Sequence, residues 1–226
     1  MATPSKSCVS WEVAEEMTIP SCEEFSAELA KRHGAELQQR LAAARVAVCG
    51  LGGLGSNITI ALARAGVGHL HLIDFDCVDL SIVNRQQYFV SQLGMPKTEA
   101  MRENLRQIAP YCEVTIDQIR ITPENLAALL AEDEVVCEAF DAPEAKAMLV
   151  NGVLEHFPNT YLVAGNGMAG LESANLIQTR RISSHFFLCG DNSTDVREAG
   201  SLFAARVMAC AAHQALTAIR ILAGVE

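Results

Sequence analysis

Arg45-Val46-Ala47-Val48-Cys49-Gly50-Leu51-Gly52-Gly53-Leu54-Gly55 is the stretch whose reading decides the fold. A short valine-rich run of strand type leads straight into a glycine cluster, and Ser56 to Ala65 then reads as a buried helix closed by Gly66 and Gly68. The next strand, His69 to Ile73, ends in Asp74. Gly50, Gly52 and Gly55 occupy the G-x-G-x-x-G positions of a dinucleotide-fold fingerprint, and Asp74 follows Gly55 by 19 positions. The glycines permit a tight turn and close backbone approach, the amides at the helix start suit phosphate oxygens, and the Asp74 carboxylate can accept from ribose hydroxyls. A turn serving packing alone would need neither three glycines nor the acid at that spacing. The fingerprint leaves a nicotinamide cofactor and ATP equally open.

Outward from this unit, strand and helix keep alternating. Upstream, Cys22 to Ala44 has helical spacing with Ser21 as a cap and an interruption at Gly34, while residues 1–21 read as a loosely packed N-terminus. Downstream, Pro96 to Ile108, Pro123 to Leu130, Ala142 to His156 and Leu202 to Leu222 read as helices. Glu113 to Ile119, Glu134 to Phe140, Tyr161 to Ala164, Leu176 to Thr179 and Phe186 to Cys189 read as strands. The class is α/β: a doubly wound, largely parallel Rossmann-like sheet with an N-terminal helical segment, and residues 22–226 form one domain on this reading.

Composition narrows the partners. A formal charge of -10 and a pI near 5.1 disfavour a nucleic-acid binder or a protein drawn to anionic membranes. No run approaches the length of a membrane span and the first ten residues lack a secretory signature, so a cytoplasmic protein is expected. The eight cysteines contain no pair closer than 14 positions, which excludes a Cys-x-x-Cys zinc site and favours reduced, buried thiols.

Residues beyond the fingerprint separate the two nucleotide readings. Asp74-Phe75-Asp76 is succeeded by Asn84-Arg85-Gln86-Gln87, then Lys97, and later by Asp141 at the end of a strand-like run. Hydride transfer has no use for an amide, a guanidinium, an ammonium and a second carboxylate near the phosphates. Attack of a carboxylate on an α-phosphate does, because charge builds on phosphoryl oxygens and must be met by cations. Each residue also has a plain reading: Arg85 and Lys97 as surface charges, Asn84 as a turn former, and Asp141 as the cap of the next helix.

Gly50 to Ser56, Asp74-Phe75-Asp76, Asn84-Arg85-Gln86, Lys97 and Asp141 together resemble the ThiF/MoeB/HesA family, relatives of the ubiquitin-activating enzymes, over Lys31 to Gly224. The resemblance implies that Gly50, Gly52, Gly53 and Gly55 line ATP, that Asp74 holds the ribose, that Asp76 and Gln86 belong to the same nucleotide site, and that Asn84, Arg85 and Lys97 address the phosphates. Asp141 would bind magnesium. The substrate would be the C-terminal carboxylate of a small ubiquitin-like sulfur carrier ending in Gly-Gly, adenylated for thiamine biosynthesis. A molybdopterin or cysteine-biosynthesis carrier and a tRNA base are alternatives, as are an NAD-dependent oxidoreductase and a non-catalytic scaffold.

The missing zinc cysteines and Gly165-Asn-Gly-Met-Ala-Gly170 resemble the shorter, zinc-free ThiF branch. The family further implies a homodimer in which an N-terminal arginine reaches the nucleotide, often the partner's. Arg32 is the candidate, with Arg40 as its rival. Cys189, at a strand end before Gly190, is the best-placed sulfur-accepting cysteine, though burial as a small apolar residue is favoured. His69 and His71 share one strand face, where core or edge packing is favoured over a metal.

Overall fold

The computed structural model describes residues 19–226; the loosely packed N-terminus read from the sequence lies outside these for residues 1–18. Ser21 caps α1 (Cys22–His33): its hydroxyl accepts from Glu24 N and the Glu24 carboxylate accepts from Ser21 N. Such a reciprocal cap satisfies two amides that the first helical turn leaves unpaired. Gly34, at φ +93°, breaks the chain into α2 (Ala35–Ala43).

β1 (Arg45–Cys49), α3 (Gly53–Ala65) and β2 (His69–Ile73) come next, at the positions read from the glycine fingerprint. The helix begins three residues earlier than Ser56, because the glycines themselves form its first turn. Then come α4 (Lys97–Ile108), β3 (Glu113–Asp117), α5 (Leu126–Leu129), β4 (Val135–Glu138), α6 (Pro143–His156) and β5 (Tyr161–Gly165). The chain ends with β6 (Gln178–Arg181), β7 (Phe186–Gly190), α7 (Val196–Ala199) and α8 (Ala204–Leu222).

The sheet runs β3-β2-β1-β4-β5-β7-β6, parallel throughout except for the antiparallel β6–β7 pair at one edge. Its order reverses between β1 and β4, and a crevice outside the carboxyl ends of those two strands is where such sheets bind ligands. Alternation along β1 decides the two layers. Val46 and Val48 face the cluster built with α3, α4 and α8, while Ala47 and Cys49 face Leu126, Leu149 and Val153 of α5 and α6. Each fully buried Val, Leu or Ile contributes about 1.5–3 kcal/mol of transfer free energy, and both faces of the central strands collect it.

Four expectations shift. The helix read over Pro123 to Leu130 shrinks to Leu126–Leu129, since Asn125 uses its side chain to accept from Thr122 N and to donate to Arg120 O, which holds a turn where the helix would start. The strand read at Leu176 to Thr179 begins at Gln178, because Ser173 caps a 3-10 turn over Ala174–Leu176. The strand read over Glu134 to Phe140 stops at Glu138, whose carboxylate takes Phe140 N out of the ladder. The strand read to Ile119 ends at Asp117.

Candidate active site

The glycines of the turn do different work. Gly50 has φ +92°, and a Cβ there would lie 2.9 Å from Ala139 O and 3.0 Å from Phe140 Cδ1. A Cβ on Gly55 would lie 1.8 Å from Gly50 O, so this glycine lets α3 rest directly on the end of β1. Gly53 faces Val207 of α8 and the aliphatic stem of Arg85. Gly52 alone opens outward: a Cβ there would meet nothing nearer than Gln86 Nε2 at 3.8 Å. Among the described residues no side chain caps the start of α3, which leaves its first amides available at the positive end of the helix dipole.

Asp74 braces the turn. Its carboxylate accepts from Leu51 N at 2.6 Å and from Asp76 N at 2.8 Å. Burial pushes this carboxyl above the ordinary aspartate range, and Lys97 with those two amides pulls part of the rise back. Lys97, at the start of α4, is 6% exposed and donates to Asp76 Oδ2 at 3.0 Å with Asp74 Oδ2 3.9 Å away. The plain reading of Lys97 as a solvated surface charge therefore fails.

The segment between β2 and α4 wraps the turn. Tyr88 donates to Leu51 O at 2.8 Å, and Gln87 reaches Ser56 and Asn57 on α3. Arg85 donates to Asn84 Oδ1 at 2.9 Å and to Ser81 O at 3.3 Å, and Asn84 donates to Leu202 O at 3.5 Å. Gln86 is buried, yet its Oε1 has no partner among the described residues. An open glycine cradle, uncapped helix amides and an orphaned acceptor beside them are what a nucleotide would complete.

Asp141 stands exposed at the other lip of the crevice, one residue beyond the Ala139-Phe140 pair that packs on Gly50. It does not cap α6: Ala142 holds that position and no side-chain cap is made. Among the described residues no group of three or more His, Cys, Asp or Glu could by itself hold a metal. A single carboxylate oxygen suits magnesium, which keeps waters and takes its remaining ligands from phosphates.

Arg32 is not brought to this site. α1 and α2 pack on the opposite end of α3, where Leu29 and Gln38 crowd Gly66, and the 13 residues of α3 put about 20 Å between its two ends. Arg40, its rival, donates to Ala223 O and pairs with Glu36. Cys189 is fully buried between Thr179 and Thr217, and burial raises its thiol pKa, so it has none of the exposure a reactive thiolate needs. His71 sits between Asp133 and Asp117, and His69 against Thr115, in the packing role favoured for them.

Two buried ion pairs near the crevice escaped the sequence reading. Lys146 of α6 pairs with Glu138, and Arg206 of α8 pairs with Asp191, which also accepts from Ser193 N and Thr194 N. A signal for the first existed: a glutamate inside the apolar run Val135 to Ala139 requires a partner, and Lys146 lies one helical turn into α6. Between the loop after β5 and the segment entering α8, an open cleft of about 500 Å³ is lined by Gly170, Glu172, Thr194, Glu198 and Phe203. It adjoins Asn84 through Leu202. A larger hollow of about 610 Å³ lies at the amino ends of β1, β4 and β5, away from the glycine turn.

With a glycine turn at the switch point of a mostly parallel sheet, the chain falls in the class of Rossmann-like α/β nucleotide-fold proteins. Within that class it belongs to the ThiF family, whose profile matches residues 25–226. A molybdopterin-synthase adenylyltransferase of Escherichia coli (strain K12) is 33% identical over 193 residues, 83% of this chain and 76% of that protein. A tRNA threonylcarbamoyladenosine dehydratase of the same strain is 38% identical over 123 residues, 54% of this chain, and the match spans less than half of that protein, 46%. The E. coli tRNA N6-threonylcarbamoyladenosine dehydratase TcdA in complex with ATP superposes with a TM-score of 0.80 at 25% identity, covering 92% of this chain and 98% of that one. The family is that of the ThiF/MoeB-type adenylyltransferases. No helix among the described residues is long and apolar enough to cross a membrane.

Proposed function

We propose that residues 22–226 act as one adenylating domain that activates the C-terminal carboxylate of a small ubiquitin-like carrier protein with MgATP. The observation that carries this reading is the open Gly52 at the start of α3, with Asp74 bonded to Leu51 N, Lys97 bonded to Asp76 and the stem of Arg85 against Gly53. A carrier carboxylate oxygen attacks the α-phosphorus, the bond to the bridging oxygen of pyrophosphate breaks, and a mixed anhydride of carrier and AMP forms. No proton need move. Arg85 and Asn84 reach the phosphates from the wrapping segment, and Lys97 from the start of α4. Asp141 would hold magnesium, which when bound neutralises phosphate charge. The carrier tail would enter through the cleft that adjoins Asn84.

Thiamine biosynthesis is the favoured pathway on the resemblance to the zinc-free branch, and a cytoplasmic homodimer the favoured state. The likeness to the tRNA-modifying TcdA supports a second reading, in which the carboxylate is carried on tRNA; the net charge of -10 weighs against it. ATP–pyrophosphate exchange separates them. Exchange that requires a protein ending in Gly-Gly is expected, and exchange driven equally by tRNA alone would sink the carrier reading. Arg85→Ala and Asp141→Ala are each expected to lower exchange about 100-fold or more. Unchanged exchange in either would remove that residue from the site.

A further inference from the structure

Glu138 is 1% exposed at the last position of β4, and Lys146 donates to both of its carboxylate oxygens at 3.0 Å. The same ammonium donates to Gly165 O at 2.9 Å, so one side chain of α6 ties together the carboxyl ends of β4 and β5. Glu138 Oε1 also accepts from Phe140 N at 2.7 Å. On the other side, Ala139 N donates to Cys49 O at 2.9 Å and the Ala139-Phe140 backbone packs on Gly50. Residues 139 and 140 are thus clamped between β1 and the Glu138 carboxylate, and Asp141 emerges from the clamp at the lip of the crevice.

A buried ion pair is weak evidence of stabilisation, because well-packed apolar residues do as well or better in its place. What an apolar side chain at position 138 could not supply is an acceptor for Phe140 N, whose ladder has ended. Nor could it draw Lys146 onto Gly165 O. We propose that the Glu138–Lys146 pair is a positioning device that holds Asp141 opposite the glycine turn and so sets how tightly the magnesium nucleotide is held. This rests on the adenylating reading above. Neither residue touches the reacting atoms; both act through the 139–141 backbone.

Backbone hydrogen exchange on the nucleotide-free chain tests the clamp directly. Lys146→Met is expected to speed exchange of the Ala139 and Phe140 amides by about ten-fold or more while β2 and β3 keep wild-type rates, and Lys146→Arg to keep all rates. In pyrophosphate exchange, Lys146→Met should raise the half-saturating magnesium concentration about ten-fold with the carrier KM unchanged, and Lys146→Arg should restore it. Should Lys146→Met fail to fold, the charge-free pair E138Q/K146M reads the same local loosening. Wild-type exchange at Ala139 and Phe140 in a folded variant, or the same acceleration in every strand, overturns the clamp. A loosened segment with an unchanged magnesium requirement overturns its link to Asp141. If the wild-type chain gives no pyrophosphate exchange even with a carrier ending in Gly-Gly, the adenylating reading falls, while the hydrogen-exchange arm still decides the clamp.

Discussion

Gly55 and Gly52 differ in what a methyl group would meet. At Gly55 it would lie 1.8 Å from Gly50 O and 2.8 Å from Gly50 C, backbone atoms that cannot swing aside. Gly55→Ala should therefore cost more than the ~1–3 kcal/mol of ordinary overpacking, lowering the melting temperature by about 2–4 °C for each kcal/mol lost. At Gly52 the methyl would meet no described atom nearer than 3.8 Å, and φ is negative, at -74°. Gly52→Ala should melt close to wild type yet lose most of the thermal protection that ATP confers; equal protection in both proteins would take Gly52 out of the phosphate site. The spacing of the glycines was legible in the sequence. Which of them packs and which faces a ligand was not, because that depends on Ala139 and Phe140, far along the chain.

At the scale of elements, β2 carries a titrating cluster. His71 Nδ1 lies 2.8 Å from Asp133 and Nε2 2.9 Å from Asp117, so with both carboxylates ionised the ring must donate from both nitrogens. Arg45, His69 and Glu113 complete the network around them. Burial by itself would lower the His71 pKa, but the bonds to Asp133 and Asp117 outweigh it and hold the pKa above 6.5. Linkage gives the sign: this stabilisation is fully present below 6.5, the unfolded value, and is lost as pH rises through the higher folded value. Denaturant unfolding should show wild type losing stability across that window and His71→Gln losing much less; parallel profiles would refute the assignment. That His69 and His71 share a face was readable from strand alternation. Their partners were not, since Asp117 and Asp133 come from β3 and the loop before β4. The short α5 was misread for a related reason, the competition of the Asn125 side chain with the backbone.

Over the whole molecule, Arg32 and the glycine turn lie at opposite ends of α3. If Arg32 serves a nucleotide, that nucleotide belongs to a second copy. Mixing Arg32→Ala and Arg85→Ala chains should then regenerate pyrophosphate exchange that neither supports alone, because a mixed dimer retains one complete site. A mixture as inactive as its components would exclude a contribution in trans.

The sequence alone determined the β1–turn–α3–β2 unit and the α/β class, and it named candidates for the crevice. These rest on local rules: strand alternation, helix caps, glycine conformation and the reach of one side chain from a strand end. Only the tertiary structure decided that Gly52 is the open glycine, that Asp74 braces Leu51 and Asp76, that Lys97 is buried, and that Glu138 and Lys146 clamp the approach to Asp141. Each of these depends on groups brought together across strand crossovers, where burial sets the electrostatics and proximity in space rather than in sequence sets the partner.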